Sequence, residues 1–163
     1  MTILLYQELP LPLPRWDVYL WSIIIDMVDI RKAGGILIKD RKFLVVRQKD
    51  KDFFIAPGGK LIENETPIEA LIRELIEEIC VEVQPHDLTE FGVFTAPAAG
   101  AENKLLQMNV YLVNRWQGEI VINENDRVCE FRWIDSNDLR KIKLGSIFEH
   151  EVLPRLKNMN LID

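Results

Sequence analysis

Apolar positions along this chain follow two rhythms. Residues 32–38 (KAGGILI) and 42–48 (KFLVVRQ) are short aliphatic and β-branched runs joined by KDR, which predicts a hairpin. FFIAPGGK, at 53–60, reads as a strand running into a glycine turn. Between 66 and 79 the spacing changes to three and four. At 100° per residue, Ile68, Leu71, Ile72, Leu75 and Ile79 fall within an arc of about 100°, the buried face of a helix. Thr66-Pro67-Ile68-Glu69 suits its start: a threonine cap, proline at the first helical position and a glutamate that completes a capping box. Strand-like runs return in TEFGVFTA (89–96) and LLQMNVYLVNRW (105–116), with PAAGAENK (97–104) as a loop between them. GEIVI (118–122) and EFRWID (130–135) read as further strands. From Asp138 the pattern is helical, broken near Gly145, with a second helix over about 146–157. Strands on both sides of a central helix, with a helix at the end, predict an α/β sandwich on a mixed sheet.

The first 26 residues differ from the rest. Pro10, Pro12 and Pro14 alternate with leucines, which favours an extended path. DVYLWSIII follows as a plausible strand, and Met27 then precedes VDIRKAGGILI. Two readings stand side by side. Residues 1–26 are an extension that packs on the domain or a partner, or the biological start is Met27. Tyr6, Trp16, Tyr19 and Trp21 favour packing, because aromatic surface is costly to leave in water. The domain proper is placed at residues 27–163.

Composition narrows the field. The chain has 163 residues, 48% hydrophobic and 28% charged, enough for one domain with its own core. Its net charge of −6 argues against sequence-independent binding to nucleic acid or an anionic membrane. A phosphate-bearing small substrate stays open, because a divalent cation can supply positive charge. The two cysteines, Cys80 and Cys129, form no zinc-like spacing and read as reduced thiols of a cytoplasmic protein. The longest apolar run, residues 18–25, is far short of the roughly 20 a membrane span needs. The N-terminus offers neither a basic start nor a small-residue cleavage site.

The helix carries the chemistry. Glu74, Glu77 and Glu78 fall in a second arc of about 100°, expected on the side opposite the apolar one. Arg73 lies beside Glu77 at i, i+4. A solvated acidic face is the plain reading. Against it, like charges at this spacing cost a few tenths of a kcal/mol per pair, about 0.2–0.5. The cluster also sits at a fixed distance from Pro57-Gly58-Gly59, and glycine permits close backbone approach. Carboxylates with an exposed carbonyl make an all-oxygen site suited to Mg2+ or Mn2+.

These residues resemble the Nudix box, Gly-x5-Glu-x7-Arg-Glu-aliphatic-x-Glu-Glu-x-Gly-aliphatic. Gly59, Glu65, Arg73, Glu74, Glu77, Glu78 and Val81 match; Cys80 stands where glycine is usual. The surrounding GGILI, FLVVR, IAPGGK and EFRWID resemble the rest of a Nudix domain over roughly residues 31–140. The resemblance implies a Nudix-type α/β/α sandwich with a mixed β-sheet. It implies hydrolysis of a nucleoside diphosphate linked to another group, with Mg2+ or Mn2+. Glu74, Glu77 and Glu78 would be metal ligands, Glu74 alternatively acting on the attacking water, and Gly59 would contribute its carbonyl. Arg73 would hold the glutamates, and Glu65 would support them. Glu130, before the late strand, is a further metal-ligand or base candidate, with Asp126, Glu124 and Glu102 behind it. The family glycine at position 80 implies a left-handed exit, where cysteine would cost about 1 kcal/mol.

Substrate choice is less legible. The compact domain resembles MutT-type enzymes acting on oxidised nucleoside triphosphates, whereas Pro97, 16 residues after Val81, is a marker of ADP-ribose hydrolases. A non-catalytic nucleotide-sensing domain is the third reading, set back by retention of all three glutamates. Phe94, Leu106, Met108 and Tyr111 are candidate base contacts. His86 and His150 read as solvated rather than catalytic. Monomer and homodimer both stay open.

Overall fold

The computed structural model describes residues 28–99, 101–123 and 127–163, without the side chain of Glu102. The expectations for residues 1–26 and Met27, for Glu124 and Asp126, and for the Glu102 side chain lie outside the described residues.

Strand β1 (Ile30–Ile36) leads through β2 (Ile38–Lys39) into β3 (Lys42–Gln48), and the short β4 (Gly58–Lys60) precedes helix α1 (Pro67–Ile79). Then come β5 (Leu88–Ala98), β6 (Ala101–Val113) and β7 (Val128–Ile134). The C-terminal segment is a widened helical stretch, Phe148–Val152, continuing into α2 (Leu153–Asn158). One sheet has the order β4-β1-β6-β5, the other β2-β3-β7. β1 and β6 run parallel and the other pairs antiparallel, so the strand set is mixed. The KDR connection is a tight turn with Asp40 and Arg41 both at positive φ, the geometry of a two-residue hairpin.

Strand alternation separates two cores. On β3, Phe43 and Val45 join the cluster around Phe148, Val152 and Leu156. Leu44 and Val46 join the cluster around Leu71, Leu75 and Ile79. β6 divides likewise, with Met108 and Val110 toward the C-terminal helix and Tyr111 and Val113 toward α1. Side chains two apart share a face, so the strands form a middle layer with a helix on each side. This is the expected α/β/α sandwich.

Several expectations fail. The helix expected from Asp138 is only a 3₁₀ turn, Asp138–Arg140. PAAGAENK is not an open loop: β5 and β6 stay paired to Ala98↔Ala101, with a register shift between Pro97 and Ala98. Pro97 is tolerated because β5 is an edge strand. GEIVI is not a strand. Val121 and Asn123 donate backbone hydrogen bonds to Ile79 O and Glu78 O at 3.2 and 3.3 Å, satisfying carbonyls at the end of α1. Among the described residues, no helix is long and apolar enough to cross a membrane.

Candidate active site

Helix α1 begins with the anticipated capping box: Thr66 Oγ1 accepts from Glu69 N–H, and Glu69 accepts from Thr66 N–H. It ends at Cys80, whose φ of 59° is left-handed. Glycine is the residue without a steric penalty there, so Cys80→Gly should raise stability by about 1 kcal/mol. The check is a denaturant midpoint, with the slope unchanged.

The acidic arc does not lie opposite the apolar one, as expected, but borders it, with Glu78 about 20° round the helix from Leu71. Glu78 is 2% exposed, in the same buried surface as Leu71, Leu75 and Ile79. Its place on the helix is next to Leu71, so packing of α1 over β1 and β4 draws it in. Burying a carboxylate requires a partner, and Gly58 N–H donates to Glu78 Oε2 at 2.8 Å. Across the cluster, Glu74 has 12% side-chain exposure and Glu77 50%. The three glutamates therefore run from core to solvent instead of sharing one wet face.

Glycines make this approach feasible. β4 pairs with β1 as Gly58↔Gly34 and Gly59↔Ala33. A Cβ on Gly58 would stand 2.2 Å from Ala33 O, and one on Gly59 would stand 2.1 Å from Glu74 Oε1. The Glu74 carboxylate thus fills the space a side chain at 59 would take.

Arg73 ties the cluster together. Its Nε and Nη2 donate to the two oxygens of Glu65 at 2.8 and 2.9 Å. Nη1 donates to Glu74 Oε1 at 2.8 Å and Glu77 Oε2 at 3.1 Å, and Nη2 also donates to Lys60 O at 3.1 Å. All five guanidinium N–H groups are engaged. These bonds hold the arginine's pKa above its already high ordinary value, the Glu65 bond contributing most. They likewise hold Glu65 below the usual carboxylate range. A depressed carboxylate contributes stability above its unfolded pKa and loses it as pH falls through the folded one. The melting temperature should therefore fall as pH drops below about 4.5, less steeply in Glu65→Gln, as an acid thermal-melt series would show.

Glu130 sits elsewhere. On β7 it faces Arg47 of β3. Oε2 accepts from Arg47 Nε and Nη2 at 3.0 and 2.9 Å, and Oε1 from Arg132 Nε at 2.6 Å. Burial raises its pKa, but the hydrogen bonds from Arg132 and Arg47 outweigh this and hold it low. It is not among the carboxylates Arg73 gathers. His86 and His150 are exposed. As the side chains stand, no group of three carboxylate, histidine or cysteine residues converges tightly enough to grip an ion, among the described residues. Arg73 holds Glu74 and Glu77 with the nitrogen nearest both. The donor set is nonetheless oxygen-only, and the Gly59 cradle keeps Glu74 against the backbone, which fits a hard cation.

Glu74, Gly58 and Gly59 open onto a cavity of about 330 Å3. One wall is apolar, from Leu106, Met108, Ile147 and Phe148. Lys32, Lys51, Lys60 and Arg127 line it too. Of the anticipated base contacts, Leu106 and Met108 line it, as does Pro97. Phe94 packs in the C-terminal-helix core and Tyr111 in the α1 core. The lysines were not anticipated. Their one sequence signal is Lys32, a charge in strand phase with Ile36 on an inward face.

Comparison with known proteins decides the family. The NUDIX domain profile matches residues 29–156. The chain belongs to the Nudix hydrolase family. It is 34% identical over 119 residues to an 8-oxo-dGTP diphosphatase of Haemophilus influenzae, covering 70% of this chain and 82% of that one. To an ADP-ribose pyrophosphatase of Methanocaldococcus jannaschii it is 30% identical over 122 residues, covering 73% and 67%. The crystal structure of a MutT NUDIX hydrolase from Burkholderia pseudomallei superposes with a TM-score of 0.64 at 24% identity, over 74% of this chain and 92% of that chain. At that identity the likeness concerns the fold.

Proposed function

We propose that this Nudix domain hydrolyses a nucleoside triphosphate, its base unmodified or oxidised, with Mg2+ as cofactor. The observation carrying this reading is the cavity, where an apolar wall, a cluster of ammonium groups and Glu74 meet. The apolar wall suits a base, the cations suit phosphates, and the buried glutamates suit the cation that neutralises the reacting phosphate.

Glu74, Glu77 and Glu78, with the Gly59 carbonyl, would hold the ion, which when bound supplies charge neutralisation and a more acidic water. The chain's own groups do the rest. Gly58 N–H fixes the Glu78 carboxylate, and the Gly59 cradle fixes Glu74. Arg73 is fully engaged with protein oxygens and so positions glutamates rather than substrate. Water adds to one phosphorus, the phosphoanhydride bond breaks, and the proton leaves with the departing phosphate or a neighbouring carboxylate. Glu130, clamped by two arginines, is proposed as a supporting group or a late-recruited base.

ADP-ribose or a nucleotide sugar is the second reading. It is favoured by Pro97 on the cavity wall and by the relative that bears that activity in its name. A Mg2+-supplemented hydrolysis screen tests both. It would use nucleoside triphosphates with and without an 8-oxo base, ADP-ribose, nucleotide sugars and dinucleoside polyphosphates. Silence across the panel with nucleotide still bound would instead support a sensing domain.

A further inference from the structure

Lys32 of β1 and Lys60 of β4 stand directly opposite each other in the antiparallel register. Opposed residues share a face, with Cβ atoms about 4.5–5.5 Å apart, and like charges there destabilise the pair. Both side chains line the cavity, on whose wall Lys51 and Arg127 also lie. Lys32 is half-buried, and among the described residues its ammonium has no hydrogen-bond or ion-pair partner. Burial first, then Lys60, lowers its pKa, while Glu78 opposes them. On a chain of net charge −6, such a convergence of cations is not a sampling of the average surface. A partly desolvated cation with three other cations and a single carboxylate, Glu78, around it lowers its free energy when a further anion binds.

We propose that the Lys32–Lys60 pair is a specificity-determining clamp for a terminal, multiply charged phosphate, selecting a free phosphate chain over a diphosphate capped by a sugar. This rests on reading the cavity as the nucleotide site. The metal-side glutamates face the reacting phosphate, so a chain laid across the cavity brings a second phosphate to the lysines. A terminal phosphate carries about −1.5 to −2 charges near neutral pH. A ribose in the same place carries none and leaves the two ammonium groups facing each other unneutralised. The pair therefore discriminates by attraction to one ligand and by an unrelieved repulsion with the other.

Titration calorimetry with inorganic tripolyphosphate, in metal-free buffer, tests the clamp without turnover. Wild-type protein should bind it. Lys32→Met and Lys60→Met should each weaken binding about tenfold, and Lys32→Arg should restore most of it, because charge rather than bulk is at work. Far-UV circular dichroism checks the fold, and Lys60, being exposed, gives a second variant of low structural risk. Failure of the wild type to bind at millimolar tripolyphosphate, or wild-type affinity retained in both methionine variants, overturns the clamp. The two readings fail separately. Lysine-dependent binding in a protein that hydrolyses no nucleotide keeps the clamp and sinks the hydrolase proposal. An unchanged KM for a nucleoside triphosphate in Lys32→Met sinks the clamp alone.

Discussion

Glu78→Gln should lower turnover by at least about 100-fold while leaving the fold intact, in line with single-group electrostatic effects in other active sites. The two halves of this expectation come from different atoms. In the core, Glu78 Oε2 accepts a hydrogen bond from Gly58 N–H. A glutamine carbonyl accepts the same bond at nearly the same place, so the helix–strand contact survives. What is lost is the negative charge that a bound cation needs. Near-normal activity in both Glu78→Gln and Glu77→Gln would sink the assignment of these residues to a cation site. A binding readout stands beside activity. Mg2+ should raise the melting temperature of the wild type, since a ligand bound only by the folded state at 100 times its Kd adds about 2.7 kcal/mol. The rise should shrink sharply in Glu78→Gln. An equal rise in both proteins would place the ion elsewhere.

Much of this was legible in the sequence, for a physical reason. Except for the left-handed end at Cys80, which the family resemblance implied, the helix and its cap depend on local spacing, and a local signal survives without tertiary information, as at Thr66 and Glu69. The strand runs of β3 and β7 were legible for the same reason. The failures involve pairing that the local pattern does not show, most of it with partners distant in the chain. GEIVI has strand-like residues, but among the described residues its backbone meets carbonyls at the end of α1 and no strand ladder. Pro97 and Gly100 read as loop signals, but β6 lies alongside and carries the ladder almost to the turn. Glu78 was expected opposite the apolar arc, yet at 100° per residue it falls about 20° from Leu71, so the projection already put it at the edge of the buried face. Its burial follows from Gly58 and Gly59, which let β4 come close enough to offer an N–H. The lysine pair is the clearest case. Lys32 and Lys60 are unremarked in one dimension and become opposed only through the β1–β4 register. The sandwich could be read from pattern, whereas the lining of its cavity needed the register.

Two alanine substitutions at adjacent glycines should fail in different ways. Gly58→Ala puts a Cβ 2.2 Å from Ala33 O and 2.9 Å from Gly34 Cα, both backbone atoms of the paired strand. Its φ of +140° adds strain for any L side chain. Backbone cannot yield without breaking the β1–β4 pairing, so stability should fall by at least about 3 kcal/mol, within the range of severe core lesions. Gly59→Ala meets a different obstacle, the Glu74 carboxylate, at 2.1 Å from Oε1 and 2.2 Å from Cδ. That is the far end of a flexible side chain and can swing aside, so the fold should survive with a loss of only about 1 kcal/mol, the worth of an ordinary hydrogen bond such as that from Arg73. Swinging aside moves Glu74 by more than an ångström, and displacements of about 1 Å can cost 10²-fold in rate. Folded but nearly inactive protein is the expected result for Gly59→Ala, measured by thermal melts beside kcat. A second change, Glu74→Ala in the Gly59→Ala background, should then cost little more, because the carboxylate is already out of place. If Gly59→Ala keeps full activity, the position of Glu74 against the glycine turn plays no part in the chemistry. If it unfolds instead, Gly59 serves the same backbone contact as Gly58, and the separation of fold from function at this turn is wrong.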